Sequence, residues 1–318
     1  MTTAHRSPLA GGPVAATVGR AYFAAQAVAG AAWWVAVFTV PLVREATLGA
    51  LDPIAVAAVD VPLFVVASGL AAVLSGRAAI GAASVATAWT IAVTALLAGY
   101  ATVTALAGIG VILMIAASVA AVGAWFLLAL GRIPTEWLLV GPFAFRPARP
   151  RRTPLVHVVV TLGQIVVFWG LFLVVFPLII DALEARWGLS LPASVGVAIA
   201  GVLVVLSASA LGLWSAASLT VRGDGTPLPS AMPNRLVIAG PYRFVRNPMA
   251  MAGIAQGVGV GLMMSSWMVV AYALAGSLVW NYAIRPHEEA DLSRTFGDAY
   301  RAYARAVRCW VPRLRPVG

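Results

Sequence analysis

The feature that most constrains this chain is a recurring apolar run of membrane-spanning length. A bilayer core asks for about 20 mostly apolar residues per helix. Such runs recur along most of the sequence, separated by short segments rich in Arg, Pro and Gly. The strict alternation of apolar and polar residues that marks a half-buried strand is absent. Of the 318 residues 61% are hydrophobic and only 10% charged, and the mean hydropathy is +0.93. That leaves too little polar surface for a water-soluble globule. The expected fold class is all-α: a polytopic integral membrane protein with about eight transmembrane helices plus a C-terminal interfacial helix.

The apolar runs place helices at about Gly19–Val43, Ile54–Leu74, Ala79–Tyr100, Leu106–Leu130, Leu155–Ile180, Ala193–Thr220, Pro248–Met264 and Trp267–Ile284. The third and fourth are rich in Ala, Gly, Ser and Thr, which lets helices approach closely where lipid supplies no hydrophobic drive between them. The first four read as a compact bundle. Asp60 is an intramembrane carboxylate, a functional candidate by position. Its place two residues before Pro62 reads instead as a cap on a helix segment near the interface. Between Gly131 and Pro154 the composition changes, with Arg132, Arg146, Arg149, Arg151 and Arg152 interleaved with prolines. So many prolines oppose a continuous helix. This divides the chain into residues 1–153, an N-terminal four-helix membrane bundle with an Arg/Pro-rich linker, and residues 154–318, a second membrane domain.

The formal net charge of +10 comes from arginine alone, since the chain has no lysine. Basic loops beside apolar helices follow the positive-inside rule and meet anionic headgroups. The expected partners are therefore membrane lipids and no nucleic acid. Alternate counting from Arg149 puts both termini, the loops at Arg77 and Arg222 and the segment after Arg285 on the cytoplasmic side. The connection carrying Asp181, Glu184 and Arg186 faces outward. Cys309 is the single cysteine, and His5, His157 and His287 show no ligand spacing, so neither an intrachain disulfide nor a metal site is expected. Met1–Pro13 is polar and loop-like, and the first apolar run reads as a retained helix.

The most informative stretch is C-terminal. It reads Gly240-Pro241-Tyr242-Arg243-Phe244-Val245-Arg246-Asn247-Pro248-Met249, then two apolar runs, then Arg285-Pro286-His287-Glu288-Glu289, and finally Phe296-Gly297, Tyr300, Tyr303 and Val311-Pro312. If the runs form two helices joined at Ser265-Ser266, the chain returns to the side it left. Arg246 and Asn247 then come near Glu288 and Glu289. Pro286 suits the first turn of a new helix, with Glu288, Glu289 and Asp291 at its positive end and Arg301, Arg305 and Arg308 toward its negative end. Leu292, Phe296, Tyr300, Tyr303 and Val307 share one face, as in a helix lying along the membrane surface.

This order of residues resembles the C-terminal core of the isoprenylcysteine carboxyl methyltransferase family and its bacterial relatives, including the small membrane phospholipid methyltransferases. Those proteins carry Gly-Pro-Tyr-Arg-Tyr-x-Arg-His-Pro-x-Tyr-x-Gly, a hydrophobic hairpin, Glu-Glu, Phe-Gly, spaced tyrosines and a terminal Val-Pro. The resemblance covers roughly the last quarter of the chain. Here Phe244 replaces the second Tyr, Asn247 the His, Ala250 the later Tyr and Ala252 the Gly. Phospholipid methyltransferase relatives carry Asn-Pro-Met at the corresponding place. Asn hydrogen-bonds both ways but does not titrate near neutrality.

The resemblance implies methyl transfer from S-adenosylmethionine in a bacterial inner membrane, to a lipid-embedded or amphipathic small-molecule acceptor, by carboxyl O-methylation or lipid N-methylation. It points to Arg246 and Asn247 as catalytic residues and to Tyr242, Arg243, Pro248, Glu288, Glu289, Tyr300 and Tyr303 as cofactor-binding. Carboxylates suit the cationic or hydroxyl-bearing parts of the cofactor, and a guanidinium suits its carboxylate. Aromatic faces attract a sulfonium. Two other readings stay open. The acidic, Phe-Gly and spaced-Tyr tail is also similar to NADPH-dependent membrane reductases of the sterol-reductase type, and the missing His and Tyr would permit a noncatalytic membrane protein.

Overall fold

The computed structural model describes residues 13–139, 159, 162–163, 166–223 and 234–317, and among these no strand occurs. The Arg146–Arg152 stretch, the expected start of a helix at Leu155, the Asp224–Met232 segment, His5 and His157 lie outside the described residues. The chain divides into two compact units, Met1–Pro134 with Ala185–Leu189, and Thr135–Glu184 with Ser190–Gly318.

The first unit contains α1 (Pro13–Thr39), α2 (Pro41–Leu48), α3 (Pro53–Asp60), a π-helical stretch (Val61–Val66), α4 (Ala67–Val73), α5 (Gly76–Thr104) and α6 (Gly108–Leu130). The first apolar run does not continue to Val43: it breaks at Val40 because the next residue, Pro41, restricts Val40 to extended backbone and starts α2. Small side chains dominate the core, where Phe23 meets Ala71, Ala83, Ala86 and Ala121, all fully buried. The cap reading of Asp60 is corrected. Asp52 caps α3, accepting from the Ile54 N–H, while Asp60 sits inside a continuous helical path. Its carboxylate accepts indole N–H bonds from Trp34 at 2.9 Å and Trp89 at 2.7 Å.

The second unit contains a 3₁₀ turn (Thr135–Leu138), a π-helical stretch (Gly170–Val175), α7 (Phe176–Arg186), α8 (Val195–Gly223), a 3₁₀ turn (Gly240–Arg243), α9 (Pro248–Met264) and α10 (Trp267–Val279). A third π-helical stretch (Trp280–Ile284) then leads into α11 (Arg285–Ala306). Among the described residues seven helices are long and apolar enough to cross a membrane, and α9 is a shorter apolar one. At about 1.5 Å per residue its 17 residues reach about 25 Å, a little under a bilayer core.

Two of the π-helical stretches have a visible cause. A proline offers no N–H and its ring collides with the carbonyl four residues back. For Pro177 and Pro286 that carbonyl belongs to Leu173 and Tyr282, each inside a π stretch. Widening the helix there carries it past the proline, with the Phe176 N–H bonding Leu171 O and the Arg285 N–H bonding Trp280 O, five residues back. The expected break at Pro286 is therefore corrected: α10 runs on into α11. The spanning part ends near Ile284, because α11 carries Arg285, Glu288, Glu289, Asp291 and Arg294 in its first three turns.

Small residues let α8 and α9 touch backbone to backbone. A Cβ at Gly201 would lie 2.6 Å from the Met263 nitrogen and 2.7 Å from the Gly259 carbonyl oxygen. Between α9 and α10 the chain reverses at Ser265, which takes left-handed backbone with φ 56°, and Ser266 caps α10 by accepting from the Val269 N–H. The expected connection holding Asp181, Glu184 and Arg186 is corrected too, since α7 runs on to Arg186 and contains all three. Glu184 lies inside α7, 1% exposed, and its Oε2 accepts both the Ser266 hydroxyl and the Met268 N–H. A carboxylate at the positive N-terminal end of α10 is favourable on dipole grounds as well.

Replacing Glu184 with Ala leaves the Ser266 hydroxyl and the Met268 N–H without that acceptor, at about 1–3 kcal/mol for each buried group left unpaired. The variant is expected to unfold at markedly lower temperature in detergent. Ser266→Ala, which removes the cap and one of the two donors to Glu184, costs about 1–3 kcal/mol. Equal melting of Glu184→Ala and wild type would refute the anchoring role.

Candidate active site

The 3₁₀ turn Gly240–Arg243 delivers Tyr242, and the following segment delivers Arg246 and Asn247 ahead of α9. The first two turns of α11 deliver Glu288 and Glu289, and its later turns deliver Tyr300 and Tyr303. All seven line one cavity of about 530 Å³. The α9–α10 hairpin returns the chain to its starting level, so the two polar clusters meet: the Arg246 Nη2 stands 3.3 Å from Glu289 Oε1. The same carboxylate oxygen lies 4.0 Å from Arg285 Nε. Apolar side chains complete the wall, among them Phe168, Phe172, Leu173 and Ile254.

Several buried polar atoms of this wall have no partner. They are Arg246 Nε, Trp280 Nε1 and Glu288 Oε2. A buried donor or acceptor left unpaired is expensive and rare in a folded chain. Two donors and an anionic acceptor on one cavity therefore fit a ligand that carries both an acceptor and a cationic donor.

Two residues proposed from the sequence do not line the cavity. Arg243 holds the chain's end instead: its Nε donates to the Val317 carbonyl at 2.7 Å, and the Val317 N–H returns a bond to the Arg243 carbonyl at 3.1 Å. Pro248 is fully buried at the first turn of α9. The C-terminal residues brace the site from behind. The Arg246 N–H donates to the Arg308 carbonyl at 3.0 Å, and the Arg313 N–H to the Phe244 carbonyl at 2.9 Å. Tyr303 donates its hydroxyl to the Tyr242 carbonyl at 2.7 Å, and Tyr300, Tyr303 and Val307 pack with Leu292 and Phe296 as one cluster.

Charge and burial shape the titration of the site. Burial, with Glu288 and Tyr303 nearby, pushes the Tyr242 phenol well above its ordinary value, so it stays a neutral hydroxyl. Burial and the neighbouring Glu289 carboxylate push the Glu288 carboxyl up to about 7, against smaller opposing effects from an Asn247 hydrogen bond and from Arg285. Glu288 is thus poised to change charge near neutrality. Among the described residues no group of three His, Cys, Asp or Glu is placed to hold a metal ion. His287 is engaged with Thr135, its Nε2 2.9 Å from the hydroxyl.

Sequence reasoning missed Gln256 and Trp280. Gln256 lines the cavity from α9, 2% exposed, and donates to the Ser209 hydroxyl at 2.9 Å. A lone amide within an apolar run is a signal that the intramembrane-polar rule could have caught. Trp280 carried no such signal, since one more Trp in an apolar helix is unremarkable by pattern.

The model of the phospholipid methyltransferase family matches residues 197–299. The match takes in nearly all of α8, the whole α9–α10 hairpin and both glutamates, and ends one residue before Tyr300. The C-terminal part of the chain is thus similar to that family, which supports membrane methyl transfer as its class of activity. No curated protein and no solved structure matches the chain.

Tyr303→Phe removes a buried hydrogen bond while keeping the ring, and is expected to cost about 0.5–1.5 kcal/mol of stability. Thermal unfolding of the purified protein in detergent measures it, and no shift would show that the Tyr242 carbonyl finds another donor.

Proposed function

We infer that this cavity binds S-adenosylmethionine and serves methyl transfer to a lipid-embedded or amphipathic acceptor. The observation that carries the reading is the set of unpaired buried atoms, Arg246 Nε against Glu288 Oε2, in one pocket. The cofactor ends in an amino acid, with a carboxylate for a guanidinium and an ammonium for a carboxylate. When bound it supplies an activated methyl carbon on a sulfonium, so the site needs little acid or base chemistry. The chain's task is to hold the acceptor in line and exclude water.

In this reading Arg246 Nη2 stays engaged by Glu289 while its Nε faces the ligand carboxylate. Glu288 receives the cationic end. Tyr242, Tyr300 and Tyr303 border the adenine or sulfonium, whose charge an aromatic face attracts. Asn247, hydrogen-bonded with Glu288, orients that carboxylate. The apolar wall at Phe168, Phe172 and Leu173 suits an acyl or prenyl chain on the acceptor. A lipid amine or a carboxylate at its head are both open to test. The arginine distribution supports both termini on the cytoplasmic side, and the resemblance to bacterial membrane methyltransferases supports a bacterial inner membrane.

The assignment shifts weight from Glu289, which has a protein partner, to Glu288, which has a free buried oxygen. Glu288→Gln is expected to weaken S-adenosylmethionine by about 1.5–3 kcal/mol, the range for hydrogen bonds to charged groups, or about tenfold and more. Isothermal titration into the purified full chain measures it. Unchanged affinity in both Glu288→Gln and Arg246→Ala would remove the pair from the site, and binding of NADPH in place of S-adenosylmethionine would favour the reductase reading.

The same titration repeated across pH supplies a second check. Glu288 is neutral below about 7 and anionic above it, so a contact to a cation strengthens as pH rises through that value. The wild-type affinity is expected to increase from acid to neutral pH, with a flatter profile for Glu288→Gln. Identical profiles for the two proteins would mean that Glu288 does not face the cation.

A further inference from the structure

The first unit holds a second cavity, of about 740 Å³, that no part of the methyl-transfer reading uses. It is lined from α1, α2, α3, the Val61–Val66 stretch, α5 and α6, and its walls are mainly apolar and aromatic, with Trp33, Phe64, Trp89 and Tyr100 among them. Beside the hydrogen-bonded hydroxyls of Tyr22, Thr47 and Tyr100, a carboxylate and an amide reach it. Asp60, 6% exposed, lies seven residues into the Pro53–Val73 span, about 10 Å along the helix axis at 1.5 Å per residue. Gln26 is also 6% exposed. Its amide nitrogen donates to the Ser68 hydroxyl at 3.0 Å, which leaves its Oε1 buried with no partner.

The lining has one sign. Asp60 takes one indole N–H on each oxygen, from Trp34 on Oδ2 and from Trp89 on Oδ1, and each oxygen has a second lone pair to offer. Gln26 Oε1 is an acceptor. None of the described residues lining the cavity is basic. A carboxylate at membrane depth is costly without a counter-charge, and neutral indoles lessen that cost without cancelling the charge. A hard inorganic cation fits poorly, because it asks for six or more oxygens and these walls are mainly carbon. An organic cation fits well: aromatic faces attract an ammonium, and a volume of this size suits a small amphiphile.

We propose that the cavity of the N-terminal bundle is a binding site for a lipophilic ammonium compound, a single alkyl chain bearing an amine. Asp60 is its counter-charge, Gln26 Oε1 accepts one of its N–H bonds, and the aromatic walls hold its chain. The site shares no lining residue with the candidate S-adenosylmethionine cavity, so substitutions at Asp60 and Gln26 probe it alone.

Decylamine, decyltrimethylammonium and decanol are titrated into the full chain in lipid nanodiscs, following tryptophan emission, with empty nanodiscs as the partition control. Decylamine is expected to bind saturably, and decanol at least about tenfold more weakly, the scale of a lost hydrogen bond to a charged group. Asp60→Asn should weaken both cations by a similar factor. Because that variant also disturbs two indole bonds, Gln26→Met supplies the independent arm. It leaves Asp60 in place and should weaken decylamine several-fold while sparing decyltrimethylammonium, which has no N–H to give. Circular dichroism and thermal unfolding of both variants check that they are folded, whether or not the chain binds S-adenosylmethionine. Equal affinity for decanol and decylamine, or decylamine affinity unchanged in both variants, would overturn the proposal.

Discussion

A polar group in hydrocarbon must find its partner within the protein, because no water is there to replace one. That constraint organises both units. Asp60 is held by two indoles, Gln256 by Ser209, and Glu184 by the turn it caps. The last of these has the longest reach. By binding the start of α10 it fixes where the α9–α10 hairpin reverses, and with it the level at which α11 presents Glu288 and Glu289. Against so many satisfied groups, the few unpaired buried atoms among the described residues stand out.

The same constraint explains how prolines are carried in this chain. A helix that stopped at Pro286 would leave free carbonyls at the membrane surface and would detach α11 from α10. Widening into a π turn keeps the backbone bonded, with Arg285 bonding to Trp280, and transmits the position of α10 rigidly into the acidic pair. The acidic pair therefore rests on a continuous helical stretch rather than on a loop, which suits a task made mostly of positioning.

Much of the fold was legible because apolar length and turn chemistry are local signals. The runs and the Ser265-Ser266 reversal follow from spacing alone; Leu292, Phe296, Tyr300 and Tyr303 do cluster, but across a kink at Gly297, φ 55°, and not on one face of a straight helix. What was illegible depended on partners distant in sequence. Glu184 read as a loop charge because the residue that needs it, Ser266, lies 82 positions away. Asp60 read as a cap because its two indole donors come from α1 and α5. The Pro286 break was expected because proline rules describe an α-helix and say nothing of a π turn that relieves the clash. In the candidate site the motif brought the right polar clusters together, but it could not distinguish Arg243, tied to Val317, from Arg246, whose Nε has no partner.

The difference between the two glutamates follows from this geometry. Adjacent on α11, they point to different partners, and only one of them meets a guanidinium within 3.3 Å. The Arg246–Glu289 pair neutralises itself, so it adds little net charge to the cavity and serves chiefly to hold the guanidinium in orientation. Glu288 retains an uncompensated oxygen, and its neighbour's negative charge raises the cost of ionising it. A bound cation would relieve that cost twice, by pairing with Glu288 and by offsetting Glu289. The carboxylate of the same ligand would meet Arg246 Nε, the buried nitrogen that has no partner. A zwitterion therefore satisfies all three residues at once, whereas a simple anion would face two carboxylates and a simple cation would leave the Arg246 donor unpaired.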